Sequence, residues 1–324
     1  MSGVLDFAVS FPRGRADVQR MHAASGVPVA DILAITHAEG FPVLGDGETA
    51  WELAVRAARE VLDRTAVAPE EIRYVIYAGS GAWDHPFWSP AAKVAHELGI
   101  GRAHCFEVAN FCNAGMAALK VATDRLDLGG EGYALVLVGD RLSRMVDYTD
   151  PESKALFNFG DAAAAMLVAR GQTPFRLLHT AMRTDPSWSD YYLGEHRPGP
   201  DHPGRVAIRR AAHRKGLAAA YVENFTALIG DTLDAVGAKL TDVDHLLINQ
   251  GDQDMHRRLL AELGLPAEKS VFNYHRLGHM GGADTLIALG GLRDEQRLRG
   301  GELILLATSA MGFSWGITAL EYQR

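Results

Sequence analysis

The sequence predicts an α/β fold, and two observations carry that prediction. Short β-branched runs bounded by Gly or Asp recur at 72–79 (IRYVIYAG), 133–140 (YALVLVGD), 162–168 (AAAAMLV), 244–250 (DHLLINQ), 302–309 (ELILLATS) and 315–322 (WGITALEY). Between them lie Ala- and Leu-rich stretches with helical spacing, at 48–64, 90–98, 113–127, 216–236, 254–264 and 281–291. Near-continuous apolar runs read as strands covered on both faces, and strands alternating with helices define the class.

Taken in chain order, the helix at 48–64 leads into a strand that closes at Gly79, and SGAWDHPFWSP (80–90) is irregular. After the helix at 90–98, the short apolar strand HCFEVANF runs into Cys112, where the small-residue helix at 113–127 begins. The strand at 133–140 closes at Gly139 and Asp140, and the next follows Gly160 and Asp161. TDPSWSDYYLGEHRPGPDHPG, crowded with Pro, Gly and aromatics, marks a join near 170–205. The second half then repeats the order strand, helix, short strand, tight turn, small-residue helix, strand, strand. FEVANFCNAGMAALKVA in the first half corresponds to FNYHRLGHMGGADTLIALG in the second. The expected units are 1–170 and 171–324, one large element duplicated and not a short-period solenoid. The two aromatic loops read either as plain surface loops or as the roof of an active site.

Composition narrows the function classes. The chain has 324 residues, 48% hydrophobic and 22% charged, with 32 Lys and Arg against 40 Asp and Glu, a net charge of −8. That is a folded globular composition with no basic excess for nucleic acid. No window approaches the roughly 18 apolar residues of a membrane helix, and the first residues lack a secretory h-region. The expectation is a cytoplasmic protein with neither nucleic acid nor membrane as partner. Dinucleotide, phosphate-loop and G-x-S-x-G signatures are absent, and the thirteen histidines form no metal-ligand spacing, so no metal is expected.

Cys112 is the first candidate for chemistry. At a helix N-terminus, unpaired N–H groups and the helix dipole favour thiolate, lowering a thiol pKa from its usual value of about 8.5. Such a sulfur attacks thioesters. Cys105, inside the strand, reads as core.

These residues resemble the nucleophile segment of ketosynthase III enzymes of the thiolase superfamily, with Glu107 in the acidic place five positions before the cysteine. Four further segments resemble family motifs in the same order: NFGDAAAAMLV (158–168), NQGDQ (249–253), RLGHMGGAD (276–284) and SAMGFSWG (309–316). The resemblance implies a thiolase-like five-layered αβαβα fold of two pseudo-symmetric halves, and a homodimer. It also implies no cofactor, with a phosphopantetheine or coenzyme A thioester as substrate. Its departures matter as well. Where the family has His and Asn facing the cysteine, this chain has Asn249 and His279, so the two have changed places. Asp252 and Asp284 introduce carboxylates near the relocated imidazole. Imidazole backed by carboxylate suits proton removal from a hydroxyl or amine, and ketosynthase III-like acyltransferases with a replaced histidine make esters instead of carbon–carbon bonds.

The expected function is therefore ping-pong acyl transfer in polyketide or other secondary metabolism. Cys112, His279, Asn249, Asp252 and Asp284 form the candidate catalytic set, with Asp252 or Asp284 orienting His279. The N–H groups of Cys112 and Gly312 form the oxyanion hole. The alternatives are decarboxylative condensation, in which Asn249 and His279 both donate to one oxygen, and a non-catalytic partner subunit. Family residues that hold coenzyme A are replaced by GVPVADI (26–32) and Asp254, which favours an acyl carrier protein as partner. Arg209, Arg210, Arg214 and Lys215, and His256 with Arg257 and Arg258, are the basic clusters expected to dock it by electrostatic steering, alongside a small-molecule acyl acceptor.

Overall fold

The structure, a computed structural model, describes residues 2–129, 131–197, 205–210 and 216–323. In chain order the elements are β1 (Ser2–Ser10), α1 (Val18–Ser25), α2 (Val29–Thr36), α3 (Ala50–Thr65), β2 (Ile72–Gly79), α4 (Pro90–Glu97), β3 (His104–Ala109), α5 (Ala114–Asp127), β4 (Tyr133–Gly139) and β5 (Ala163–Arg170). They continue with β6 (Phe175–Thr184), β7 (Tyr192–Arg197), β8 (Arg205–Arg210), α6 (Leu217–Val236), β9 (Val243–Ile248), α7 (Gln253–Leu263), α8 (Asp284–Asp294), β10 (Leu303–Ala310) and β11 (Ser314–Tyr322).

All six predicted helices and all six predicted strands form. Six elements were not foreseen in the sequence: β1, α1, α2, β6, and β7 and β8, which form a two-stranded ribbon. β6 corrects the view of 170–205 as a bare join, because Phe175–Thr184 pairs along its length with β11, with one bulge at Leu178. Its Arg176, His179 and Arg183 mask the apolar signal of a half-buried strand. The second half also lacks the expected short strand: no strand forms between α7 and α8 among the described residues.

The strands lie in the order β3-β2-β4-β5-β1-β6-β11-β10-β9. Read outward from the β1–β6 joint, each half repeats one pattern. β1-β5-β4-β2 mirrors β6-β11-β10-β9, with antiparallel pairs inside and a parallel pair outside. Among the described residues the strands of the two halves pair with each other only at Gly3–Arg176 and Val4–Phe175. A Cβ on Gly3 would stand 2.4 Å from the Phe175 carbonyl, so the joint requires glycine.

Alternation along each strand divides its side chains between two cores. From β2 and β4, Val75, Tyr77, Leu135 and Leu137 pack outward against α3 and α4, while Ile76, Val136 and Val138 point inward. In the second half, Leu246, Ile248, Leu305 and Ile317 pack against α6 and α7, while Leu247, Ile304 and Leu306 point inward. α5 and α8 fill the space between, and the order helix, sheet, helix, sheet, helix gives five layers. Each fully buried Leu, Ile or Val contributes roughly 1.5–3 kcal/mol, so the central layer is strongly fixed. The start of α5 and the start of α8 meet there, close enough that a Cβ on Gly282 would lie 3.4 Å from the Cys112 carbonyl oxygen.

Candidate active site

Cys112 stands on a sharp turn between β3 and α5. Asn110 N–H donates to the Gly79 carbonyl at 3.1 Å and Asn113 N–H to the Asn110 carbonyl at 3.0 Å, pinning the turn from both ends. Phe111 is held between them at φ 47°, a left-handed conformation costing a non-glycine residue about 1–2 kcal/mol. Cys112 is 9% exposed and lines a cavity of about 480 Å³.

The opposing imidazole comes from the other half. His279 N–H donates to the Asn158 carbonyl at 2.7 Å and Gly160 N–H to the His279 carbonyl at 3.0 Å, so the NFGD segment clamps the histidine backbone. This approach needs Gly278, where a Cβ would meet the Asn158 carbonyl at 2.2 Å. The ring of His279 then has Nε2 3.1 Å from Cys112 Sγ and Nδ1 2.6 Å from Asp284 Oδ2. Asp284 also accepts the N–H groups of Gln250 at 2.7 Å and Met280 at 2.8 Å. A buried carboxyl facing three donors is an acceptor throughout, which places a proton on His279 Nδ1 and leaves Nε2 to exchange one with the sulfur. Burial alone pushes the imidazole pKa down, but Cys112 and Asp284 outweigh it and hold it well above the ordinary value. The arrangement matches nucleophile, base and orienter.

Asp252 does not share that role. Its carboxylate caps α7, accepting N–H from Asp254 at 2.9 Å and Met255 at 3.0 Å, so of the two candidate carboxylates only Asp284 contacts the imidazole. Asp252 and Asp254 instead line the cavity with Cys112, His279 and Asn249. Asn249 is locked to Ser309: its Oδ1 accepts Ser309 N–H at 3.1 Å and its Nδ2 donates to the Ser309 carbonyl at 3.3 Å. A backbone N–H fixes which amide atom is oxygen, leaving the second Nδ2 hydrogen available to the cavity. Gly312 sits in the turn between β10 and β11 at φ 83°, between the cavity-lining residues Met311 and Phe313.

Of the basic residues, Arg257 and Arg258 are exposed on α7, with the Arg257 guanidinium over Phe272. His256 belongs to the interior and corrects its grouping with them. It hydrogen bonds Ser270 at 2.8 Å, stacks on Phe272, and burial with Arg257 nearby lowers its pKa to about 3. Arg209 and Arg210 belong to β8; Arg214 and Lys215 lie outside the described residues. Glu107 caps α4, accepting from Ser89 Oγ at 2.5 Å and Ala91 N–H at 3.3 Å.

Sequence reasoning missed three features of the site. Lys154 lines the cavity from an irregular stretch with no periodic signal, and Tyr221 reaches it from α6, its hydroxyl paired with Ser309 Oγ. Below the turn, Asp140 and Asp161 are buried carboxyls whose pKa values burial raises to about 6, against opposing hydrogen bonds from Ser80 and Ser143 respectively. Among the described residues no three His, Cys, Asp or Glu side chains are grouped to hold a metal, and no helix is long and apolar enough to cross a membrane.

Two models of one family match this chain: 3-oxoacyl-[acyl-carrier-protein] synthase III over residues 106–186 and its C-terminal part over 233–322, together more than half of the sequence. A curated beta-ketoacyl-[acyl-carrier-protein] synthase III from Rhizorhabdus wittichii is 28% identical over 281 residues, covering 86% of either chain. The crystal structure of 3-oxoacyl-[acyl-carrier-protein] synthase III from Aquifex aeolicus superposes with a TM-score of 0.87 at 23% identity, over 99% of this chain and 100% of that one. The structure of ChlB3, described as an acyltransferase, superposes with a TM-score of 0.83 at 22% identity, over 99% and 98%. The fold is α/β and thiolase-like.

Proposed function

This chain belongs to the 3-oxoacyl-[acyl-carrier-protein] synthase III family of the thiolase superfamily, and from that premise we propose that it is an acyltransferase working through a Cys112 acyl-enzyme. The observation that carries the reading is the Sγ–Nε2, Nδ1–Asp284 chain of contacts at 3.1 and 2.6 Å. Cys112 thiolate attacks the donor's thioester carbonyl, and the N–H groups of Cys112 and Gly312 stabilise the tetrahedral oxyanion. The donor C–S bond breaks and its thiolate takes the proton from His279. An acceptor hydroxyl, amine or thiol then gives its proton to His279 Nε2 and attacks the acyl group, expelling Cys112 as thiolate. Asp284 stabilises the imidazolium in both steps.

A second reading, decarboxylative condensation, is favoured by the name of the relatives and by Asn249 sharing the cavity. It needs two N–H donors on one oxygen, and His279 Nε2 donates only while the ring is doubly protonated. The two readings separate in one experiment. Incubation with acetyl, longer acyl and malonyl thioesters is followed by intact-protein mass and by carbon dioxide release. Acyl transfer predicts a Cys112 adduct, lost in Cys112→Ala, without carbon dioxide from malonyl donors; stoichiometric carbon dioxide with a carbon–carbon product overturns it.

An acyl carrier protein is the proposed donor in polyketide or related metabolism, supported by Arg257, Arg258 and the cavity-lining Lys154 on the side where α7 begins. Steering of that kind weakens with salt, so carrier-loaded donor loses rate as salt rises while a small thioester does not. A homodimer is the proposed assembly. Among the described residues β3 is an edge strand with one unpaired side, and the fully exposed Phe87 stands in the adjoining loop, features a second copy would cover.

A further inference from the structure

The residue after the nucleophile is a buried asparagine with an unusual cost. Asn113 has no solvent exposure, its Nδ2 donates to Ser314 Oγ at 2.7 Å, and its Oδ1 has no partner among the described residues. A buried carbonyl left without a donor destabilises a fold by about 1–3 kcal/mol, and such a group calls for an explanation. The explanation lies in what the single contact connects. Ser314 opens β11, two residues beyond Gly312, and its hydroxyl donates onward to Asn110 Oδ1 at 3.4 Å. Asn110 and Asn113 bracket the strained Phe111–Cys112 turn, while Ser314 lies about 200 residues further along the chain.

We infer that Asn110, Ser314 and Asn113 form a clasp between the cysteine turn and the β10–β11 turn, with Asn113 and Ser314 as positioning residues that fix the Cys112 and Gly312 N–H groups relative to one another. The inference rests on the acyl-enzyme reading and deepens it. Each amide is carried on a turn in a left-handed conformation, Phe111 at φ 47° on one side and Gly312 at φ 83° on the other. No backbone hydrogen bond joins the two turns among the described residues, so the side-chain hydrogen bonds are what link them. Convergent donors stabilise an oxyanion only when both reach it, and an error of about 1 Å costs on the order of a hundredfold.

The test compares two reactions of one sulfur. Alkylation by iodoacetamide develops no oxyanion and depends only on the Cys112–His279 pair, whereas acylation by a hexanoyl N-acetylcysteamine thioester needs both. Ser314→Val and Ser314→Thr have the same volume and differ by the hydroxyl. The clasp predicts that Ser314→Val and Asn113→Ala lower the acylation rate by about tenfold to a hundredfold at saturating thioester, with the alkylation rate within threefold of the parent, and that Ser314→Thr restores acylation. Equal acylation by the Val and Thr variants overturns the clasp, as does an equal fall in acylation and alkylation, which would mean that the cysteine turn itself had moved. A parent protein that iodoacetamide alkylates but no thioester acylates overturns the acyl-enzyme reading and the clasp with it. Melting temperatures of all variants separate these outcomes from loss of fold.

Discussion

Replacing Asp284 by Asn tests the core of the site, because the substitution keeps shape and removes charge. Asp284 Oδ1 accepts Met280 N–H, and Oδ2 accepts both Gln250 N–H and His279 Nδ1. An amide can satisfy only some of these. With its NH2 group toward Met280, the side-chain amide N–H faces the Met280 backbone N–H, donor against donor, at about 1–3 kcal/mol. With NH2 toward Gln250, a similar conflict arises and the imidazole must move its proton to Nε2, where it can no longer accept from the sulfur. The first orientation therefore prevails: the imidazolium keeps a hydrogen bond to the amide oxygen but loses the carboxylate charge opposite it, out of a charge-assisted contact of about 1.5–3 kcal/mol. At about 1.4 kcal/mol per tenfold, acylation by a small thioester near neutral pH should fall roughly 10- to 150-fold. The pH at which His279 gives up its proton should move downward. Stability supplies a second reading of the same contact. The folded-state pKa of His279 lies above its unfolded value, so the ion pair stabilises the protein fully at pH below about 6.5 and fades as pH rises through the higher folded value. The melting-temperature gap between parent and variant should be widest around pH 6 and narrower around pH 9. A variant that acylates within threefold of the parent, with the same upper pH limb, refutes the assignment of Asp284 as orienter.

Asp252→Ala should cost about 1 kcal/mol of stability through the lost cap of α7, while iodoacetamide alkylation of Cys112 stays within threefold; a tenfold fall in alkylation would return Asp252 to the proton path. Gly312→Ala meets no atom within 4 Å, yet φ 83° costs an alanine about 1–2 kcal/mol, so acylation should slow with little change in alkylation. Unchanged acylation would remove Gly312 from the oxyanion hole. Asp140 and Asp161, each raised from 3.8 to about 6, bind protons more tightly folded than unfolded, so both take stability away as pH climbs from about 4 to 6. Relative to the parent, Asp140→Asn should therefore gain on the order of 2–3 kcal/mol between pH 4 and pH 7.5, at about 1.4 kcal/mol per pH unit; denaturant melts showing a constant difference would contradict the buried-carboxyl picture.

The strands legible in the sequence were those apolar on both faces. IRYVIYAG and YALVLVGD sit between two helical layers, and their uninterrupted side chains announce it. β1 and β6 were hidden because Asp6, Arg176 and Arg183 interrupt the pattern, and these charges are stabilised by long-range partners. Arg64 and Arg293 reach Asp6, and Glu321 reaches Arg176. α1 and α2, eight residues each, are too short for a periodic signal. At the site, Cys112 and His279 were visible through motif order. The choice between Asp252 and Asp284 was not, because only tertiary contact separates a cap from an orienter. Asp252 did carry a helix-start signal of its own, lying directly before the α7 pattern. The Asn113–Ser314 contact spans 201 residues, and no local pattern encodes such a pair.

Because Cys112 and His279 lie 167 residues apart in the chain, the sulfur and the imidazole meet only after both halves have been made and docked. A ribosome that has released residue 150 has produced the nucleophile without its activator. Until residues 279 and 284 have left the exit tunnel and docked, the sulfur lacks the imidazole contact at 3.1 Å on which the proposed acylation depends.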